Sequence, residues 1–133
     1  MPLRLKKTRE RHCLKLFQQA FADFPAGHIL EWATPDFLIR SASGRVGIEV
    51  AEVLVADSIP GRNGTPDQLQ KIFDQNNPTY RICRTNCDQV WLLLPADGVA
   101  NWSDEVYSHD YKTAFDRAFL LENGHKVSEL QAP

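Results

Sequence analysis

The chain has little cysteine, no long apolar run, no glycine-rich phosphate loop and almost no net charge. Each shortage removes a class of protein. Three cysteines, Cys13, Cys83 and Cys87, give no disulfide framework, which fits a reducing compartment and predicts a cytoplasmic protein. Cys83 and Cys87 are four apart and would share a helix face, but no second Cys or His pair stands nearby to complete a zinc site. No apolar stretch is long enough to span a bilayer, so no membrane partner is expected. The charged start is not followed by an apolar segment of the kind a signal peptide carries. Gly61-Arg62-Asn63-Gly64 lacks the Lys-Ser/Thr of a P-loop. Repeats, low-complexity segments and linkers are also missing. A formal net charge of −2 names no partner.

What is present predicts one globular domain over residues 1–133, with 43% apolar residues to build its core. Six of the fifteen Lys and Arg residues (Arg4, Lys6, Lys7, Arg9, Arg11 and Lys15) fall in the first fifteen positions. This is either a solvated helix face or a surface for phosphates. Leu14, Phe17, Ala20, Phe21 and Phe24 recur at three- and four-residue spacing and predict an amphipathic helix over about 8–24. Pro25 and Gly27 stop it, and residues 29–33 form a short strand.

Pro35-Asp36-Phe37-Leu38-Ile39-Arg40 and Gly47-Ile48-Glu49-Val50-Ala51-Glu52 flank the turn signal Ser41-Ala42-Ser43-Gly44. They predict a β-hairpin. With the turn centred on Ala42 and Ser43, paired residue numbers sum to 85, which sets Asp36 opposite Glu49. Phe37, Ile39, Val46, Ile48 and Val50 take the core face, and Asp36, Leu38, Arg40, Arg45, Gly47, Glu49, Ala51 and Val53 take the other. Two carboxylates directly opposite on one face repel each other. Something positive is expected between them: a divalent metal ion, or Arg40 and Arg45 from the same face.

Beyond the hairpin, the third strand is expected to continue to Val55, and residues 58–64 form a loop. Thr65 caps a helix with Pro66 in its first turn and Leu69, Ile72 and Phe73 as its apolar stripe. Pro78 breaks that helix, with a second piece from 79 to 87. Val90-Trp91-Leu92-Leu93-Leu94 suits a central strand buried on both faces. Asp97-Gly98 reads as a turn and residues 103–111 as a helix. Residues 114–121 fit helix or strand, and the last ten residues read as a frayed tail. Trp32, Trp91 and Trp102 are assigned to packing, and the four histidines have no recognisable catalytic partner. The class is a small α/β (α+β) protein: helix, three strands, helix, strand, with a mixed sheet flanked by helices and the last strand parallel to its neighbour.

That order, with Pro35-Asp36 on the second strand and Glu49-Val50-Ala51 on the third, resembles the PD-(D/E)xK nuclease superfamily, the restriction-endonuclease-like fold. In particular it is similar to small proteins with phrases close to PDFLIR, GIEV and VWLLL. The resemblance covers about 8–95 and leaves 96–133 as an extension. It implies a metal-dependent nuclease-like protein hydrolysing phosphodiester bonds. Asp36 and Glu49 would hold Mg2+ or Mn2+, with the Val50 carbonyl as a further ligand. DNA is favoured over RNA as the nucleic-acid partner, and a homodimer is one arrangement the resemblance allows. The motif lysine is missing, because position 51 is Ala. Lys71 on the following helix is the replacement the resemblance suggests, and a plain surface lysine is the alternative. Glu10 on the first helix matches the further acid found in some relatives. Arg40, Arg45 and Arg62 are candidate nucleic-acid contacts, and Arg81 and Arg84 lie either on a phosphate path or on plain surface. The alternative function is a catalytically silent relative that binds nucleic acid or another protein. A third arrangement has a partner subunit completing the site.

Overall fold

A computed structural model describes residues 3–53, 64–96, 102–123 and 125–130, with side chains from Lys6 onward. These residues form a mixed α/β architecture: three helices and one six-stranded mixed sheet. Helix α1 spans Leu3–Ala20, and strands β1, β2 and β3 span Gly27–Glu31, Phe37–Ser41 and Gly44–Val50. Helix α2 spans Pro66–Arg84, and β4 spans Gln89–Pro95. A short helix α3, Glu105–Ser108, precedes β5 (Arg117–Glu122) and β6 (Lys126–Leu130). Strand order in the sheet equals order along the chain, β1 to β6. The pairs β1–β2, β2–β3 and β5–β6 are antiparallel, while β3–β4 and β4–β5 are parallel.

The hairpin has the register its sequence predicts: Phe37 pairs with Ile48, Leu38 with Gly47 and Ile39 with Val46. Gly44 sits at φ 133°, in the left-handed range, where the chain enters β3. Asp88 closes this end, its Oδ2 accepting the Arg45 N–H at 2.8 Å.

Both sheet faces are buried, which corrects the assignment of a core to one face of the hairpin alone. Leu14 and Phe17 of α1 pack on Phe37, Ile39, Ile48, Trp91, Leu93 and Phe119. On the other face, Leu69, Phe73 and Cys83 of α2 pack with Leu38, Val53, Val90, Leu92 and Leu94. Alternate residues of the apolar run in β4 therefore feed two different cores, as a strand covered by helices on both sides requires.

Several boundaries differ from the sequence expectation, and β1, expected over 29–33, begins and ends two residues earlier. Helix α1 lies five residues earlier at its start and ends at Ala20, although Phe21 and Phe24 still stack around Phe17 at 5.3 and 5.5 Å. Ring packing at this spacing survives the end of the helix, so the apolar periodicity outruns it. Pro78 lies inside α2 rather than breaking it. The position is exposed, so its ring meets solvent, and only one backbone bond is forgone. The helix expected over 103–111 shrinks to α3, because His109 turns extended and Tyr111 folds inward to donate its hydroxyl proton to the Val106 carbonyl at 2.8 Å. The expected frayed tail is in part strand β6, which pairs with β5 and sends Val127 and Leu130 to opposite cores. Residues 114–121, open between helix and strand, contribute β5. Strand β3 ends at Val50, short of the expected Val55, although the Ala51 and Val53 N–H groups still donate to the Leu93 and Pro95 carbonyls at 2.9 and 2.8 Å. The 58–63 part of the expected loop, the Asp97-Gly98 turn and residues 54–55 lie outside the described residues. No helix among the described residues is long and apolar enough to cross a membrane.

Candidate active site

Asp36 stands one residue before β2, and continuing the register places it opposite Glu49. The two acids are locked by the backbone between them. The Asp36 N–H donates to Glu49 Oε1 at 3.2 Å, and the Val50 N–H donates to Asp36 Oδ2 at 2.8 Å. Gly47 makes this approach possible. A Cβ built there would lie 2.7 Å from both Pro35 Cγ and Cys87 Sγ, closer than carbon atoms pack. Pro35 thus seats directly on the strand, and Asp36 follows it over the sheet. The Thr34–Pro35 peptide is cis.

The first helix supplies the rest. Lys7 and Glu10 are three apart and share a face of α1. Lys7 Nζ lies 3.3 Å from Glu10 Oε1 and 3.8 Å from Asp36 Oδ1. It also donates to the carbonyls of Trp32 at 3.0 Å and Asp36 at 3.1 Å, and stands 4.9 Å from the centre of the Phe37 ring. Glu10 and Asp36 are both buried, at 6% and 8% exposure. Burial of acids at this level needs partners. Lys7 supplies one positive charge against three carboxyl groups.

Burial, and after it the crowding of the acids, sets the protonation behaviour. Burial pushes the Glu49 carboxyl up to about 8, helped by its side-chain hydrogen bond to Asp36 and by the Asp36 charge. Glu10 is also raised, chiefly by burial and then by Asp36, with Lys7 opposing. At neutral pH Glu49 therefore carries a proton, which relieves the repulsion between facing carboxylates.

Glu10 and Asp36 open onto solvent through a cleft. A cavity of about 590 Å³ is lined by Lys6, Lys7, Glu10, Trp32 and Asp36 together with Glu31 and Ala33. A smaller one of about 210 Å³ reaches the other side of Glu10, between Arg9, Val50, Glu52 and Pro95.

Of the sequence candidates, Asp36, Glu49 and Glu10 come together here. Lys71 is exposed on α2, does not line this cavity, and enters no hydrogen bond or ion pair described for the site. Arg40 and Arg45 are exposed, and the charge that meets Asp36 comes from Lys7 in their stead. Arg62 lies outside the described residues. Glu52 points away, as strand alternation requires, and meets Arg9 Nη1 at 3.5 Å. Trp32 is not a packing residue: it is 44% exposed at the cavity wall. Sequence reasoning missed Lys7 as a site residue. It was one of six cations in a basic segment, and only the docking of α1 over Pro35-Asp36 singles it out.

Among the described residues no three His, Cys, Asp or Glu side chains are gathered into a ready cation cage. The donor chemistry nevertheless fits a hard divalent ion of the magnesium type. Such an ion takes oxygen ligands, needs only one or two carboxylates and retains several waters. Asp36 and Glu49 provide those carboxylates, and Glu49, raised first by burial and then by Asp36, is a perturbed acid of the kind functional sites hold. No protein family, curated protein or solved structure matches the chain.

Proposed function

We propose that this protein is a metal-dependent nuclease-like enzyme that hydrolyses phosphodiester bonds of nucleic acid, built on a restriction-endonuclease-like core. The observation that carries the reading is the locked juxtaposition of Asp36 and Glu49, with Val50 N–H bound to Asp36 Oδ2 at 2.8 Å and Asp36 lining an open cleft. The element order α1-β1-β2-β3-α2-β4 supports it as well.

Asp36 and Glu49 would hold Mg2+ or Mn2+, with the Val50 carbonyl completing the protein's share. When bound, the ion polarises the scissile phosphate and acidifies a water for attack. Holding it requires Glu49 to release its proton, so binding and proton loss are linked. Lys7 takes the part of the lysine missing at position 51. Its ammonium, 3.8 Å from Asp36 Oδ1, orients a phosphate oxygen at the acids and offsets charge that builds there. Glu10, with its carboxyl raised chiefly by burial and then by Asp36, stands beside the pair as a further acid. Lys6 and Arg9 on α1 extend the positive surface along the cleft, so affinity for nucleic acid falls with rising salt. DNA is the favoured partner and the cytoplasm the favoured setting. Arg40, Arg45 and Arg62 are left as contacts to more distant phosphates.

One observation favours a second reading. The Lys7 ammonium already neutralises part of the acid cluster from within the chain, as expected of a silent relative that binds nucleic acid without cutting it. Titration calorimetry with Mg2+ and with Mn2+ separates the two, run on the wild type and on Glu49→Ala. Binding that vanishes in the variant, together with cleavage of a DNA substrate lost in Asp36→Ala, is the outcome expected of the enzyme. Cleavage by Asp36→Ala at the wild-type rate overturns it, and failure to bind either ion in the presence of a DNA oligonucleotide selects the silent module.

A further inference from the structure

The mechanism above uses the acids and Lys7 but leaves the wall of the larger cavity unexplained. Trp32 forms that wall, and it is one of two large apolar side chains exposed among the described residues, the other being Ile82. An indole with 44% of its surface in water adds little to a core, and on the wall of a cavity it leaves a ring face open to a ligand. Its backbone is held unusually firmly for a residue beyond the end of a strand. The Trp32 N–H donates to the Asp36 carbonyl at 2.9 Å, and its own carbonyl accepts from Lys7 Nζ at 3.0 Å. The two residues that tie it down are the two at the centre of the site. Its position is therefore fixed relative to Asp36, as a pre-organised binding surface requires.

We propose that Trp32 is a stacking platform for one unpaired nucleobase, placed next to the phosphate held at Asp36, and that the substrate strand is single-stranded at this point. The inference rests on the nuclease-like reading for its substrate class. Polar groups within the cavity suit a base as the occupant. Glu10 and Glu31 line it and offer carboxyl oxygens to N–H groups on a base edge, although each also meets a cation of α1, Lys7 and Arg11. Lys6 and Lys7 on the same wall supply cations for the phosphates that flank that base. A volume of about 590 Å³ admits a base and its sugar. A base inside a duplex has both faces covered by its neighbours and cannot meet the indole. An unpaired one is free to stack, and indole stacking tolerates any base.

The test measures binding of a short single-stranded DNA oligonucleotide and of the same sequence in a blunt duplex, by fluorescence anisotropy without divalent metal. Wild type, Trp32→Phe and Trp32→Ala are compared, with circular dichroism to establish that each is folded. Expected are tighter binding of the single strand, a roughly ten- to hundredfold loss in Trp32→Ala, near-wild-type affinity in Trp32→Phe, and little change for the duplex. An oligonucleotide with abasic sites along its length should lose the Trp32 dependence. Equal single-strand affinity for wild type and a folded Trp32→Ala overturns the platform, whatever the protein cleaves. Trp32-dependent binding without any metal-dependent cleavage upholds the platform and overturns only the hydrolytic reading.

Discussion

Lys7 Nζ lies 3.8 Å from Asp36 Oδ1, joining a residue of the first helix to the acid that opens β2. This contact gives the site a lysine that the third strand, with Ala51, does not provide. Lys7→Met should abolish or severely reduce metal-dependent cleavage, while Lys71→Ala should leave it close to wild type, since Lys71 is exposed away from the cleft. The comparison is a cleavage time course on one DNA substrate. Lys7→Met should also destabilise the fold by about 1–3 kcal/mol in urea at neutral pH, because Glu10 and Asp36 lose a charged hydrogen-bonding partner. Adding Glu10→Gln should recover part of that loss, which a double-mutant cycle measures.

Glu49 predicts an unusual pH dependence. Its folded value of about 8 lies above its ordinary value of 4.5, so between them the folded chain holds a proton that the unfolded chain has released. Stability contributed by this group is fully present below 4.5 and is lost as pH rises towards about 8. The melting temperature of metal-free protein should fall across that interval. In Glu49→Gln the fall should be blunted. If Mg2+ binds, it should release close to one proton at pH 7, read from calorimetric heats in buffers of different ionisation enthalpy.

Gly47→Ala should damage the site without touching a charged group. The new methyl would sit 2.7 Å from Pro35 Cγ and Cys87 Sγ, so Pro35 must move and carry Asp36 with it. A destabilisation of about 1–3 kcal/mol is expected from overpacking. Cleavage should fall by more than that loss of folded protein accounts for, measured with the concentration of folded enzyme fixed by circular dichroism.

Phe119 tests whether β5 belongs to the core. It is fully buried and its ring centre is 4.9 Å from Phe17, 4.8 Å from Phe21 and 5.3 Å from Trp91. Phe119→Ala should cost about 3–5 kcal/mol in urea denaturation. A loss below about 1 kcal/mol would mean that this strand is peripheral.

The hairpin was the most legible part of the chain. Its turn residues, alternation and acids fix a register in which only a shift of one residue is competitive, and that shift would put Phe37 and Ile39 on the wrong face. The parallel pairing of β4 followed from the helix between β3 and β4. Less legible was anything that depends on docking. Nothing near Lys7 in the sequence distinguishes it from Lys6, and the difference arises only where α1 crosses the sheet. Leu38 and Val53 were placed on the site face without the second core that α2 lays over them. Strand β6 was hidden because Lys126-Val127-Ser128-Glu129-Leu130 is half polar, and only its pairing with β5 makes it a strand. Pro78 was misleading for a related reason: a proline rule describes an isolated helix, whereas this helix is held by the burial of Leu69, Phe73 and Cys83 on either side of it.

The strands lie in the sheet in the order in which they occur along the chain, and the two acids sit on the most local of its pairings. A hairpin with a two-residue turn closes with little loss of chain entropy, sooner than a helix can pack across it. Repulsion between Asp36 and Glu49 is thus met at the earliest step of assembly, when water still screens it and either group can take up a proton. The later arrival of α1 and α2 seals in a pair already formed. In kinetic terms, above about pH 8, where Glu49 is charged in the folded chain, Glu49→Gln should slow unfolding more than it speeds folding.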